Sequence, residues 1–434
     1  MDPLYVGLIA VIGLIFLVII GVRAAFAAAL VGFLGLVYLR DFNTAINIVA
    51  LVPYRQATYY PLSVLPMFIL IGFLAFYAGL TTGAFRAARA WFGWLPGGIA
   101  TATVFATAGF AAVSGASTAT AAVFSRIAIP EMLRANYSPR LAAGVVAAGG
   151  TLASLIPPSA ILVIYGIIVE QSIGRLLLAG FIPGIVSAIV YALIITGMVS
   201  YNPSLGQPVR NIGWEERFRS LPGALPLVGV VFLILGGIYF GWMTPTEAGA
   251  CGAGIVFIMA LLRRNRKWSN FREAFMESAK VTVMIFTLIW CVMIFVRFLG
   301  FTGLPGAFAG WIASLDVPPI VILLCILSAY VILGMFMDAI GMMLLTLPVV
   351  FPAIIALGYD PIWFGIILVK MVEVCLITPP IGLNCFVVAG ARPDIPLEQI
   401  YRGVFPFFIA DILTIALLIA FPALVLFLPN LMMR

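Results

Sequence analysis

The sequence predicts an all-α polytopic membrane protein built as two inverted repeats, and three observations predict it. Of the 434 residues, 64% are apolar and 9% charged, whereas a soluble domain carries about 45–50% apolar and about 25% charged residues. No soluble core of this length absorbs so much apolar surface, so lipid is the solvent. Runs such as LIAVIGLIFLVIIG (8–21) and ILTIALLIAFPALVLFL (412–428) lack the in–out alternation of a barrel strand. They read as helices of the kind that fill a bilayer at about 20 residues per crossing. The third observation is an offset. Pro96, Pro130, Pro139, Pro157 and Pro158 recur 222 residues later as Pro318, Pro352, Pro361, Pro379 and Pro380. With small gaps Trp91 also matches Trp311, and Pro183 matches Pro406. Prolines in membrane helices mark breaks whose backbone groups must be satisfied elsewhere, and repeated halves are common among transporters.

Taken in order, spans are expected near 3–22, 24–39 and 61–80, then a polar-edged segment at 83–95. The N-terminus MDPLYVG lacks a basic n-region, so the first stretch is expected to be a membrane helix and not a cleaved signal. An apolar pair, about 97–112 and 117–130, flanks AVSGAST (112–118). A long helix from 139 is interrupted at TLASLIPPS (151–159), and a span follows near 176–200. The second half repeats this with spans near 223–240, 245–262 and 279–299, an apolar pair around GMFMDAIG (334–341), a break at LITPPIGLN (376–384) and a last span near 405–428. Members of each pair, at about 14–16 residues, rise about 21–24 Å, short of the ~30 Å hydrocarbon core. Each pair is therefore expected to be a re-entrant hairpin. Each half then makes five crossings, an odd number, which inverts the second half. The repeats occupy 1–200 and 221–434, joined by the polar linker 201–220.

Charge orients the chain. With the N-terminus outside, fifteen Lys and Arg fall on the cytoplasmic side, including Arg23, Arg86, Arg210, Arg264, Arg266 and Lys267. Seven fall opposite, including Arg40, Arg392 and Arg434, and Lys370 lies inside a span. This fits the positive-inside rule and places both termini in the periplasm. The excess of seven positive charges needs no nucleic acid to explain it. The five cysteines lie in apolar runs and read as small core residues. Histidine is absent, which removes imidazole metal sites and proton relays. The three lysines precede Trp268, Val281 and Met371, so none belongs to a GxxxxGK[ST] loop, and a gradient must drive any transport. No catalytic constellation is visible either.

The chemistry is expected at the hairpin tips and helix breaks. Helix N-termini present amides that suit a carboxylate, and carbonyls and hydroxyls suit a small hard cation such as Na⁺. In the first half the candidates are Ser114, Gly115, Ser117 and Thr118 at the tip, with Thr151, Ser154, Pro157 and Ser159 at the break. In the second they are Gly334, Met337 and Asp338 at the tip, with Thr378, Pro379, Gly382 and Asn384 at the break. Ser114, Ser117, Thr151, Gly334, Met337, Asp338, Thr378 and Gly382 are assigned to the cation. Ser114, Gly115, Ser117, Thr118, Pro157, Ser159, Pro379 and Asn384 are assigned to the substrate. Serine, threonine and glycine also serve as close-packing residues between membrane helices. Asp338 stands out because a carboxylate in an apolar hairpin is costly and usually functional; capping the hairpin helix and pairing with a buried cation to orient the tip are its alternative roles. Lys370 and Glu373, three apart on the second broken helix, are expected to pair. Thr244, Pro245 and Glu247 are expected to form a capping box.

Five motifs in order resemble one family: SGAST followed by ATA (114–121), LIPPS (155–159), TPTEAGA (244–250), MDAIGMMLLTLP (337–348) and LITPPIGLN (376–384). The sequence is similar to the large membrane (M) subunit of tripartite ATP-independent periplasmic (TRAP) transporters, nearly end to end, with Gly341 a minor departure. The resemblance implies an elevator mechanism in the bacterial inner membrane, with scaffold helices at about 1–80 and 221–299 and transport elements at about 97–167 and 318–390. It also implies Na⁺ as the coupling ion, a small four-helix membrane (Q) subunit, a periplasmic binding (P) protein and an organic-acid substrate, with membrane lipid around the whole. A stand-alone carboxylate transporter or antiporter is the alternative. A channel would need a continuous polar pore, whereas the polar residues cluster at two breaks.

Overall fold

The computed structural model describes residues 2–208, 213–263, 267–335 and 337–432. Arg210, Arg264, Arg266 and Arg434, used above for orientation, lie outside these, as does the middle of the linker. Among the described residues every regular element is a helix. Large apolar side chains such as Phe16, Leu34, Phe232 and Val283 point outward, as a chain solvated by lipid requires.

Helices α1 (Pro3–Ile19), α2 (Ala24–Leu39), α4 (Val64–Tyr77) and α5 (Leu80–Phe92) follow the expected order, with α3 (Phe42–Ala57) between. Helix α3 is absent from the sequence reading because its asparagines, Arg55 and Gln56 dilute the apolar signal. The Asp41 carboxylate starts it by accepting from the Thr44 amide at 2.8 Å. Next come α6 (Gly98–Ser114) and α7 (Ser117–Arg134), then α8 (Pro139–Thr151), a 3₁₀ turn (Leu152–Ser154), α9 (Ala160–Ile168) and α10 (Ile173–Tyr201). Short α11 (Trp214–Ser220) leads into α12 (Leu225–Tyr239), with a bend of 55° between them. Helices α13 (Pro245–Leu262), α14 (Trp268–Thr302), α15 (Leu304–Ala313), α16 (Pro319–Gly334) and α17 (Ala339–Ala356) follow. The chain ends with α18 (Pro361–Ile377), α19 (Leu383–Ala391), α20 (Leu397–Ala420) and α21 (Ala423–Leu431).

Several starts are written into the sequence. The box at α13 is complete: the Thr244 hydroxyl accepts from the Glu247 amide at 3.3 Å, and Glu247 accepts from the Thr244 amide at 2.8 Å. Asp360 accepts from the amides of Ile362 and Trp363 to start α18, with Pro361 at its first position.

Four expectations change. Helix α14 begins at Trp268, well before 279, because good helix formers in REAFMESAK (272–280) continue the turn into polar surroundings. The final span near 405–428 is two helices, since Pro422 pushes Phe421 out of the helical region, to φ −126° and ψ 73°. Three of the four hairpin members are also longer than 14–16 residues: α6, α7 and α17 have 17, 18 and 18, and α16 has 16. Helix α17 is therefore among the six helices long and apolar enough to cross a membrane alone, or seven with the bent α11–α12 pair, among the described residues. Length does not by itself forbid α17 from crossing. Cys251 and Cys325 lie on exposed faces and are not core residues.

Helices α2 and α4 pack on α14, α13 packs on α4, and α8 lies between α7 and α20. The α8–α20 contact is main chain on main chain. A Cβ on Gly144 would lie 2.3 Å from the Gly403 carbonyl oxygen, and one on Gly403 would lie 2.0 Å from that of Arg140. Only glycine at both positions allows that approach.

Candidate functional site: two helix tips and two helix breaks

Helix α6 ends on Gly115, whose φ of +58° is left-handed, and Ala116 is extended before α7 begins at Ser117. The turn is pressed against the break between α8 and α9: a Cβ on Gly115 would lie 2.5 Å from the Pro158 carbonyl oxygen. Glycine is thus required twice, for its φ and for the close approach. The hydroxyls of Ser117 and Ser154 join tip to break at 2.6 Å. Ser114 meets Thr120 at 2.9 Å inside the tip. Ser159 accepts from the Leu162 amide at 3.3 Å as N-cap of α9, and donates to the Ser154 carbonyl. Thr151 donates to the Ala148 carbonyl at 2.7 Å and lies 3.3 Å from the Tyr191 hydroxyl. Ser114, Gly115, Ser117, Thr151, Ser154, Pro157 and Ser159 are buried, and Thr118 is half-buried. The N-terminal ends of α7 and α9 therefore sit in one seam, each with first-turn amides that lack intrahelical partners.

The second tip is more open. Helix α16 ends at Gly334, where a Cβ would lie 2.0 Å from Cys375 Sγ on α18. Met337 is half-buried and Asp338 exposed. The Asp338 carboxylate caps α17, accepting from the Gly341 amide at 2.9 Å. A Cβ at Gly341 would lie 2.7 Å from Asp338 Oδ1, so the glycine makes room for the cap. At the break, Thr378 donates to the Val374 carbonyl at 2.6 Å. Gly382 takes φ +47° and starts α19. Pro379 and Pro380 are exposed, and the Tyr401 hydroxyl donates towards the Pro380 and Ile381 carbonyls at 2.9 and 3.1 Å. The Pro157–Pro158 and Pro379–Pro380 peptide bonds are both cis.

The halves meet at Asn384. Its amide nitrogen donates to the Ala147 carbonyl on α8 at 3.1 Å, and α19 packs on both α7 and α8. Its oxygen is buried with no partner among the described residues. The geometry thus gathers Ser114, Gly115, Ser117, Thr151, Pro157, Ser159 and Asn384 around the first seam. Gly334 and Thr378 stand by α18, and Asp338 sits at the N-terminal end of its own helix. Among the described residues there is no group of three or more His, Cys, Asp or Glu placed to hold a metal. A cation here would rest on hydroxyl, amide and carbonyl oxygens, which is the ligand chemistry hard cations take. The free Asn384 oxygen fits that requirement.

Two residues were missed in the sequence. Tyr191 on α10 and Asp411 on α20 meet at 2.7 Å and join Lys370 and Glu373 in a buried group. The signal for Asp411 was present: an aspartate between FPFFIA and ILTIALL, deep in an apolar run, is a functional candidate by default.

A family model described as the DctM component of the tripartite ATP-independent periplasmic transporter matches residues 11–424. This chain belongs to that family. It is the large permease component of a TRAP transporter, a multi-pass membrane protein and not an enzyme. Among its relatives, the C4-dicarboxylate TRAP transporter large permease protein DctM of Pseudomonas aeruginosa is 34% identical, covering 87% of this chain and 88% of that protein. The ectoine TRAP transporter large permease protein TeaC of Halomonas elongata is 33% identical, over 85% and 86%. Among solved structures, the YdaH transporter of Alcanivorax borkumensis superposes with a TM-score of 0.57 at 15% identity, covering 89% and 90%, a likeness of fold.

Proposed function

We propose that this permease carries a small organic acid inward, coupled to Na⁺, by an elevator movement of its tip-and-break elements against the remaining helices. The observation that carries the reading is the first seam. There a hairpin turn and a broken helix are locked by the Ser117–Ser154 contact, with two helix N-termini and the free Asn384 oxygen beside it. Helix N-termini favour a carboxylate, and the substrates named for the two relatives, a C4-dicarboxylate and ectoine, both carry one. The carboxylate is assigned to Thr118, Ser159 and the second N–H of the Asn384 amide with the flanking main chain, and the Asn384 oxygen, an acceptor, goes with the cation. Na⁺ is assigned to the hydroxyls and carbonyls around Ser114, Ser117 and Thr151, and in the second half around Gly334, Met337, Thr378 and Gly382, with Asp338 holding that tip.

The same reading makes the halves inverted repeats of five crossings and one hairpin each, with both termini periplasmic, and assigns as partners a small four-helix membrane subunit and a periplasmic binding protein. Uptake into proteoliposomes of the co-expressed complex should require an inward Na⁺ gradient and the binding protein. Uptake unchanged under a proton gradient without Na⁺ overturns the coupling. Uptake without any soluble protein moves the assignment to a stand-alone transporter. For topology, cysteines introduced near 2 and 432 should label from outside intact cells and one near 212 should not; labelling at 212 overturns the inversion.

A further inference from the structure

Lys370, Glu373 and Asp411 are the only fully buried charged side chains among the described residues. Lys370 Nζ lies 2.7 Å from Glu373 Oε2 and 2.7 Å from Asp411 Oδ1. It also lies 5.5 Å from the centre of the Tyr191 ring. The Tyr191 hydroxyl donates to Asp411 Oδ1 at 2.7 Å and lies 3.3 Å from Thr151 Oγ1. The other two carboxylate oxygens, Glu373 Oε1 and Asp411 Oδ2, are buried and have no partner among the described residues.

Two carboxylates against one ammonium leave one negative charge. Other titratable side chains buried on α18 or the elements packed on it are Tyr165 on α9, Tyr191 on α10, Tyr330 on α16, Cys375 on α18 itself and Cys385 on α19. All five are neutral at ordinary pH, so none supplies the missing charge. The ions of these elements sit at their ends. Asp360 caps α18, Arg392 pairs with Asp394, Glu398 pairs with Arg402, and Arg140 bonds the Arg402 carbonyl. Arg175 is 16 residues, about 24 Å, along α10 from Tyr191. An uncompensated ion buried this way is neutralised instead of tolerated.

We propose that Glu373 and Asp411 form a proton-binding site that holds one exchangeable proton beside Lys370. Asp411 Oδ1 already accepts from both Lys370 and Tyr191, whereas Glu373 accepts from Lys370 alone, so the proton resides on Glu373. It comes from water: a carboxylate takes it up and a neutral carboxyl results. A metal ion fits less well, because the point touching both carboxylates is filled by Lys370 Nζ, whereas a proton needs no room.

The position gives the site its function. Glu373 lies one turn before the second break and Thr151 at the first, and the two stand at the 222-residue offset. The chain of contacts from Glu373 through Lys370, Asp411 and Tyr191 to Thr151 therefore ties the two breaks together across α10 and α20. With every member buried, the proton exchanges with water only when these helices part, so its occupancy reports and biases their packing.

The test is infrared spectroscopy of the purified full-length protein in lipid nanodiscs at neutral pH, in H₂O and D₂O, with no substrate, ion gradient or partner present. Its outcome is thus independent of the transport reading. The wild-type protein should show the carbonyl stretch of one protonated carboxyl, shifted in D₂O. Glu373→Gln and Asp411→Asn should each abolish it, because either leaves one carboxylate facing one ammonium. Lys370→Met should increase it. Absence of the band from the wild-type protein overturns the proposal without any variant, and so does a band that survives in both carboxylate variants.

Discussion

At the first tip the turn is buried, its hydroxyls are paired across to the break, and Gly115 lies against the Pro158 carbonyl. At the second tip Asp338 and the break prolines are exposed, and a charged cap takes the place of a hydroxyl seam. The position corresponding to Asp338 in the first half is Ala116. The first tip is therefore closed against its break by packing and neutral hydrogen bonds, whereas the second packs on α18 through Gly334 and turns a charged cap towards open space. Buried, satisfied polar contacts rigidify a site, whereas an exposed end with few buried partners belongs to the low-stability part of a structure. The first seam reads as the anchor and the second tip as the element free to open.

The sharpest attack on this contrast is at the turn glycines. Gly115→Val should abolish uptake and lower the melting temperature, since it adds a left-handed β-branched residue, at about 1–3 kcal/mol, to a clash with the Pro158 carbonyl. Gly382→Val should be milder, because its nearest neighbour is the ring edge of Tyr401, at 3.1 Å. Equal losses in uptake and thermal unfolding would erase the distinction. Asp338→Asn should reduce uptake by roughly an order of magnitude at fixed Na⁺, within the usual range of a coupling energy. The Na⁺ dependence should move to higher concentration while membrane levels persist, and Ala116→Asn should do less. Normal uptake with unchanged Na⁺ dependence removes Asp338 from the ion's path, and failure to accumulate makes it a cap alone. Ser117→Ala and Ser154→Ala should each cost about 1–3 kcal/mol of thermal stability by stranding a buried partner. The double variant should cost less than their sum, and additive losses would mean the hydroxyls do not act as a pair. Smallest of all, Thr244→Ala removes the capping box of α13 and should lower the melting temperature slightly with uptake unchanged.

Local features were legible in the sequence because local chemistry fixes them. The turn at Ser114–Ser117, the breaks at both Pro-Pro pairs, the capping box at Thr244 and the Lys370–Glu373 pair all depend on residues within a few positions of one another. Helix α3 was not legible, because an amphipathic helix of mixed polarity carries too weak an apolar run to read as a span. The early start of α14 was hidden for the same reason. The partners of the buried lysine were hidden for another. Tyr191 and Asp411 lie on helices 220 residues apart, and nothing in either segment says that their spans touch. Asn384 is the same case: its position at a break was visible, but its reach to Ala147 depends on how the halves pack.

The glycine crossing of α8 and α20 has a mechanical consequence. Helices separated by side chains slide, because rotamers adjust as ridges pass over grooves. Helices that touch through their main chains, as Gly144 and Gly403 do, have no such bearing surface and must separate before they shift. They therefore travel as a welded pair. Helix α8 ends at the first break and α20 carries Asp411, so any stroke that moves the first break drags the Lys370 ammonium's counter-charge with it. Alanine at either glycine would force the two main chains apart and separate the first break from the charge on α20.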